Sequence, residues 1–116
     1  KFGRSVLVSL LMVLSASFVP NLPTFLMTSG VLAQTVDARK AEADRLLQQG
    51  IEQGQTSQYE AALMSWKEAL QIYREIKDRQ REGWVLNNIG LAYVYLGNYS
   101  KAINYLEQSL VIAREF

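Results

Sequence analysis

A forty-residue internal repeat constrains the fold of this chain more than any other feature. When the sequence from Leu46 onwards is shifted by forty residues, eight positions become identical. Apolar residues recur at helical spacing within each copy, about residues 43–76 and 83–116. The pattern predicts an all-α fold of tandem antiparallel helix-turn-helix hairpins, which is the start of an α-solenoid. The identical pairs are Leu46 and Leu86, Gly50 and Gly90, Tyr59 and Tyr99, Ala62 and Ala102, Leu70 and Leu110, Ile72 and Ile112, Arg74 and Arg114, and Glu75 and Glu115.

Turn and cap residues predict where the helices begin and end. Ser57 followed by Glu60 is a capping-box pattern, which places a helix start there and Gly54 in the preceding turn. Asp78 suits a helix N-cap, and Gly97 suits a C-terminal stop. These signals predict helices at 36–53, 57–76, 79–96 and 99–115.

Small residues predict a close crossing of the two helices in each copy. A glycine inside a helix lowers its stability by about 1 kcal/mol relative to alanine. A glycine at the same place in both copies, Gly50 and Gly90, therefore requires a packing reason. Ala62 and Ala102 would allow the same approach from the facing helices. The predicted packing residues are Leu46, Gly50, Tyr59, Ala62, Trp66 and Leu70 in the first copy, and Leu86, Gly90, Tyr93, Tyr99, Ala102, Leu106 and Leu110 in the second.

The first thirty-three residues differ in character from the repeat. Lys1 and Arg4 form a short positive start, and residues 6–19 contain no charge. Ala33 ends a Val-Leu-Ala run that suits a signal peptidase. We predict that residues 1–33 are a cleaved signal peptide, and that the protein is exported to the periplasm or out of the cell.

An uncleaved membrane anchor within residues 5–33 is the alternative interpretation of the leader. A spanning helix needs about 20 apolar residues, and the run that ends before Pro20 falls short of that length. Cleavage would leave residues 34–116 as a single helical-repeat domain.

The composition excludes several classes of function. The chain contains no cysteine and no histidine, which removes disulfides, most transition-metal sites and the usual near-neutral general base. From Gln34 onwards ten basic residues are interspersed with eleven acidic ones, a net charge of −1, whereas a nucleic-acid surface needs clustered Lys and Arg. We expect no metal, no cofactor, no nucleic acid and no catalysis, since acidic pairs such as Glu68 with Glu75 lie on exposed helix faces.

The second copy resembles the tetratricopeptide repeat. Its run Leu-Asn-Asn-Ile-Gly-Leu-Ala-Tyr at 86–93, followed by Gly97, Tyr99 and Ala102, looks like the family signature. The first copy is weaker, because Gln53 stands where the motif prefers an aromatic residue. The usual step of tetratricopeptide repeats is 34 residues. The forty-residue step of this chain is similar to that of the longer repeats in kinesin light chains and in exported bacterial proteins with a CHAT peptidase-like domain. The histidine and cysteine of a CHAT domain are absent.

The resemblance implies binding of an extended peptide along a concave face lined by the first helix of each hairpin. Asparagine amides there would hold a peptide backbone, since they both donate and accept hydrogen bonds. Alternatively, Asn88 bonds a neighbouring helix and Trp84 packs against the first hairpin. The predicted binding residues are Trp84, Asn87, Asn88, Leu91 and Tyr95 in the second copy and Leu47 and Ile51 in the first, with Asp44 and Gln48 beside them.

The sequence therefore predicts a scaffold or adaptor that binds another protein or peptide. The alternative is the start of a longer repeat array without a separate activity, since three or more repeats are usually needed for stability. Tyr105, Val111, Ile112 and Phe116 would form an exposed apolar edge, which predicts cover by further repeats or a homo-oligomer.

Overall fold

The computed structural model describes the backbone of residues 24–116 and the side chains from Thr35 onwards. The predicted apolar run at 6–19 lies outside the described residues. The chain divides into two units, Lys1–Thr35 and Val36–Phe116. In the described part of the chain the elements are four helices: α1 (Thr24–Gln55), α2 (Tyr59–Glu75), α3 (Arg79–Tyr95) and α4 (Tyr99–Ala113).

The all-α prediction is confirmed for the described residues, and α2, α3 and α4 end within two residues of their predicted bounds. Helix α1 begins at Thr24 rather than at residue 36, so it runs through the predicted cleavage position at Ala33. Among the described residues, no helix is both long and apolar enough to cross a membrane.

The three turns between helices share one backbone geometry. Each contains a single residue in the left-handed region, with φ of 61° at Ser57, 59° at Lys77 and 77° at Gly97. In each turn the next residue donates its backbone N–H to a carbonyl five residues earlier, which is the Schellman arrangement. These bonds run from Gln58 to Gln53, from Asp78 to Tyr73 and from Asn98 to Tyr93, each at 2.9 Å.

The capping box predicted at Ser57 is wrong. Ser57 occupies the left-handed turn position, and the N-cap of α2 is Gln58, whose side chain makes no capping hydrogen bond. Gly54 lies inside α1 rather than in the turn, because the helix continues to Gln55. The predicted cap at Asp78 is confirmed, since its carboxylate accepts the backbone N–H of Arg81 at 3.2 Å.

We expect Ser57→Gly and Lys77→Gly each to raise the free energy of unfolding by about 1 kcal/mol, because a left-handed backbone is unfavourable for residues with a Cβ. Urea denaturation followed by circular dichroism measures the change. Gly97→Ala is the matched opposite change and should lower the stability, although no atom lies within 4 Å of the added Cβ. Unchanged midpoints in all three variants would contradict the assigned turn geometry.

Each hairpin closes where a glycine lies against a larger side chain. A Cβ on Gly50 would stand 2.3 Å from Nε1 of Trp66, and a Cβ on Gly90 would stand 2.6 Å from Cγ of Leu106. The carbonyl oxygen of Ala102 would also lie 3.3 Å from the latter. Neither glycine can therefore carry a side chain without displacing its neighbour.

Each hairpin also contains an equivalent ion pair between its two helices. Arg39 on α1 binds Glu75 at the end of α2, and forty residues later Arg79 binds Glu115 at 2.8 Å. The hydrogen bond from Arg79 lowers the pKa of Glu115. These pairs are exposed and screened by solvent, so they contribute to the register of the paired helices more than to their stability.

Several side chains of α4 differ in their burial from the prediction. Tyr99 and Leu110 are exposed because no described element covers that side of the helix. Ile112, predicted to be exposed, is buried, since its Cγ2 lies 2.8 Å from the position that a Cβ of Gly83 would take. The predicted packing residues that are buried are Leu46, Gly50, Ala62, Trp66, Leu70, Leu86, Gly90, Tyr93 and Ala102, whereas Tyr59 and Leu106 are half-buried.

Candidate functional site

Two depressions of the surface flank Asn88 on α3. The first, called the tyrosine depression, lies between α1, α2 and α3 and has a volume of about 280 Å³. The second, called the terminal depression, lies between α3 and α4 and has a volume of about 470 Å³. The tyrosine depression is lined by Ile51, Gly54, Gln55, Tyr59, Trp66, Asn88, Leu91, Ala92 and Tyr95. The terminal depression is lined by Gln80, Gly83, Trp84, Asn87, Asn88, Ser109, Ile112, Ala113 and Phe116.

Stacked aromatic rings form one wall of the tyrosine depression. The rings of Tyr59 and Tyr95 are parallel to within 1°, with their centroids 4.8 Å apart. Leu91 is exposed beside them, and none of the residues that line the depression is charged. The surface therefore offers apolar and aromatic contact together with the amide of Asn88, which can donate and accept hydrogen bonds.

The Trp66 ring is a rigid part of the same depression. Its Nε1 donates to the carbonyl of Leu47 at 3.2 Å, and Gly50 allows α1 to approach the ring. The neighbouring Ser65 hydroxyl donates to Oε1 of Gln53 at 2.7 Å. The glutamine that replaces the aromatic residue of the motif is thus paired with a buried hydroxyl, which ties α1 to α2.

The structure separates the predicted binding residues into two groups. Ile51, Leu91 and Tyr95 line the tyrosine depression, whereas Trp84 and Asn87 line the terminal depression. Asn88 lines both. Leu47 lines neither, because its side chain is half-buried against the core.

Five residues that line the tyrosine depression were not among the predicted binding residues: Gly54, Gln55, Tyr59, Trp66 and Ala92. The repeat pattern assigned the two aromatic ones, Tyr59 and Trp66, to packing alone. Tyr59 begins α2 directly after the turn that follows α1, and this closeness in sequence is the signal that could have placed it beside Ile51.

Asp44, expected beside the groove, is instead the centre of a polar cluster. Its carboxylate accepts hydrogen bonds from Lys40 at 2.6 Å and from the Tyr73 hydroxyl at 2.5 Å, and it lies 3.4 Å from the guanidinium of Arg81. Burial raises the pKa of Asp44, but the hydrogen bonds from Lys40 and Tyr73 outweigh burial and lower it. Burial and the bond to Asp44 together raise the pKa of Tyr73. Asp44 therefore joins α1 to α2 and α3.

The described residues contain no group of three or more acidic side chains placed to hold a metal ion. The candidate site is a shallow, largely apolar surface that also carries amide groups. Such a surface can bind a polypeptide by apolar contact and by hydrogen bonds to its backbone.

Comparison with known proteins identifies the repeat. A family model described as tetratricopeptide repeat matches residues 51–115, which is more than half of the chain. The match includes all of α2, α3 and α4 and the last turn of α1. No curated protein and no solved structure matches the chain.

Proposed function

The chain belongs to the tetratricopeptide repeat family, and we propose that it is a non-catalytic adaptor that binds an extended segment of another protein in the tyrosine depression. Repeats of this family generally mediate protein–protein interaction and are typically without catalytic activity. The observation that carries the proposal is the uncharged depression walled by Tyr59 and Tyr95, with Asn88 at its edge.

The size and polarity of the tyrosine depression favour a peptide side chain as its occupant. Its volume of about 280 Å³ lies just below the roughly 300–1,000 Å³ of sites for drug-sized ligands. A charged side chain would lose hydration there without gaining a partner of opposite charge. We infer that an apolar side chain packs on Leu91 and the exposed Tyr95, while the amide of Asn88 bonds the peptide backbone.

Selection of phage-displayed random peptides on the immobilised full chain tests this function. Leu91→Ala and Asn88→Ala should each weaken binding of the selected peptides by about tenfold, which corresponds to the loss of one central contact. Asn104→Ala is the matched control, since it removes an exposed asparagine on α4 that lines neither depression. Equal affinity of the wild type, Leu91→Ala and Asn88→Ala would overturn the proposal.

We also propose that residues 1–33 direct export. The support is the positive start at Lys1 and Arg4, the uncharged residues 6–19 and the suitable cleavage position after Ala33. Intact-mass spectrometry of the full chain expressed in a bacterium should show a periplasmic product that begins at Gln34. Ala33→Arg should block this cleavage. Recovery of uncleaved wild-type chain from the membrane fraction would favour an anchor instead.

A further inference from the structure

A further depression of the surface lies between α2, α3 and α4 and is here called the lysine depression. It has a volume of about 340 Å³, and it shares no lining residue with the tyrosine depression or the terminal depression. Of the described residues that line it, none is acidic. They are Lys67 on α2, Tyr93 on α3, and Ser100, Lys101, Asn104 and Tyr105 on α4.

Two lysine side chains share one tyrosine ring in the lysine depression. Nζ of Lys67 donates to the Tyr93 hydroxyl at 2.7 Å, and Nζ of Lys101 lies 5.5 Å from the centroid of the same ring. The hydrogen bond to Tyr93 raises the pKa of Lys67, so this ammonium group is charged at neutral pH. Neither lysine forms an ion pair among the described side chains. The two positive charges therefore repel each other without a carboxylate to compensate them.

The Tyr93 ring gives the lysine depression a fixed centre. Tyr93 is only 6% exposed, and its ring stacks on that of Tyr105 with the centroids 5.6 Å apart. The hydroxyl of this buried ring holds the ammonium group of Lys67. Lys67 is thus positioned at the depression before any ligand arrives, which lowers the entropy cost of binding.

The neutral polar groups of the lysine depression also have hydrogen-bond donors to spare. Asn104 accepts from Gln108 through Oδ1 at 2.7 Å, which leaves its amide N–H groups to donate. The Tyr93 hydroxyl accepts from Lys67 and keeps its own hydrogen for another acceptor. The Ser100 hydroxyl makes no hydrogen bond with the described residues. The depression therefore offers two positive charges and three neutral donors to an acceptor-rich ligand.

The donors of the lysine depression are not part of the forty-residue pattern. The corresponding residues in the other copy are Glu107 for Lys67, Glu60 for Ser100, Ala61 for Lys101 and Met64 for Asn104. Both hairpins form although these residues differ, so the packing of a hairpin does not require the two lysines. Their convergence on one ring is specific to the junction of α2, α3 and α4.

We propose that the lysine depression binds a phosphate monoester, with Lys67 and Lys101 beside its negative charge and the neutral donors bonded to its oxygens. A phosphate group carries three strong acceptor oxygens, which suits donors that come from three helices. Lysine binds phosphate as a point charge, whereas the planar carboxylate is matched by the fork of an arginine. The described residues that line the depression include no arginine. The same chemistry is found in inorganic phosphate, small phosphate esters and phosphorylated side chains.

Solution NMR of the isotopically labelled full chain tests this site. Inorganic phosphate is added at about pH 7.5, where a phosphate is largely dianionic, and sodium chloride keeps the ionic strength constant. The amide signals of Ser100 and Lys101 should shift in a saturable way. Lys67→Gln and Lys101→Gln should each weaken binding by about tenfold, because each removes a charge-assisted hydrogen bond.

Lys77→Gln is the matched control, since it removes an exposed lysine outside the lysine depression and should leave the affinity unchanged. Tyr93→Phe keeps the ring but releases Lys67, and it should weaken binding by about threefold. Equal affinity of phosphate for the wild type and for both lysine variants would overturn the proposal. Equal binding of acetate and phosphate would also overturn it, since the site would then be a general anion surface.

A short glycine-rich peptide with one phosphoserine distinguishes the sources of the phosphate group. Binding about tenfold tighter than that of inorganic phosphate would assign the site to a phosphorylated partner protein. Equal or weaker binding would assign it to free phosphate or a small ester. Leu91→Ala changes only the tyrosine depression and should leave the phosphate affinity unchanged, so this inference does not depend on the proposed peptide binding.

Discussion

Replacing Trp66 with alanine should lower the free energy of unfolding by about 3–5 kcal/mol. The side chain is 6% exposed and fills the crossing of α1 and α2 beside Gly50. Its removal opens a cavity and leaves the carbonyl of Leu47 without its indole donor. Because small domains are stable by only about 5–15 kcal/mol, much of the chain should lose cooperative structure, as measured by urea denaturation with circular dichroism.

The other tryptophan provides the control for this prediction. Trp84 is 52% exposed and has the guanidinium of Arg81 over its ring, so its replacement by alanine should cost about 1 kcal/mol, well below the cost at Trp66. Similar losses in both variants would show that the first hairpin is not organised around Trp66.

Gly50→Ala should lower the free energy of unfolding by about 1–3 kcal/mol through overpacking, although alanine favours a helix over glycine by about 1 kcal/mol. The new Cβ would lie 2.3, 2.5 and 2.7 Å from three atoms of the Trp66 ring, and a rigid, buried ring cannot turn aside. Gly90→Ala should cost less, because its two shortest contacts are with the flexible, half-buried side chain of Leu106, and the backbone carbonyl of Ala102 lies farther away at 3.3 Å. Urea denaturation of both variants measures the difference.

A double-mutant cycle tests whether the clash is the cause. Trp66→Leu gives the first hairpin the residue found at the equivalent position, Leu106. In that background the penalty of Gly50→Ala should fall to that of Gly90→Ala. The same penalty with tryptophan and with leucine would refute the steric explanation.

The helix boundaries that could be predicted depended on local chemistry. Asp78 and Gly97 act through backbone groups within a few residues, so their identity is sufficient to place the start and the end of α3. Ser57 was misassigned because its position, like that of Lys77, requires a left-handed backbone, which sequence patterns assign to glycine.

The candidate site could be predicted only through the resemblance to the repeat family, which implies that Asn88, Leu91 and Tyr95 face a groove. In the structure these three residues line the tyrosine depression. The stacking of Tyr95 on Tyr59 depends on how α2 and α3 cross, and periodicity within a helix contains no information about that crossing. Likewise, identical leucines at 70 and 110 differ in exposure because their neighbours differ.

The common geometry of the three turns gives the backbone a period half as long as that of the sequence. Left-handed residues recur every twenty positions, at Ser57, Lys77 and Gly97, so the turn within a hairpin matches the turn that joins two hairpins. The hairpin is therefore a unit of side-chain pattern, whereas the geometric unit is one helix with its turn. Such an array can be extended by a single helix, and an odd number of helices is as regular an architecture for it as an even one.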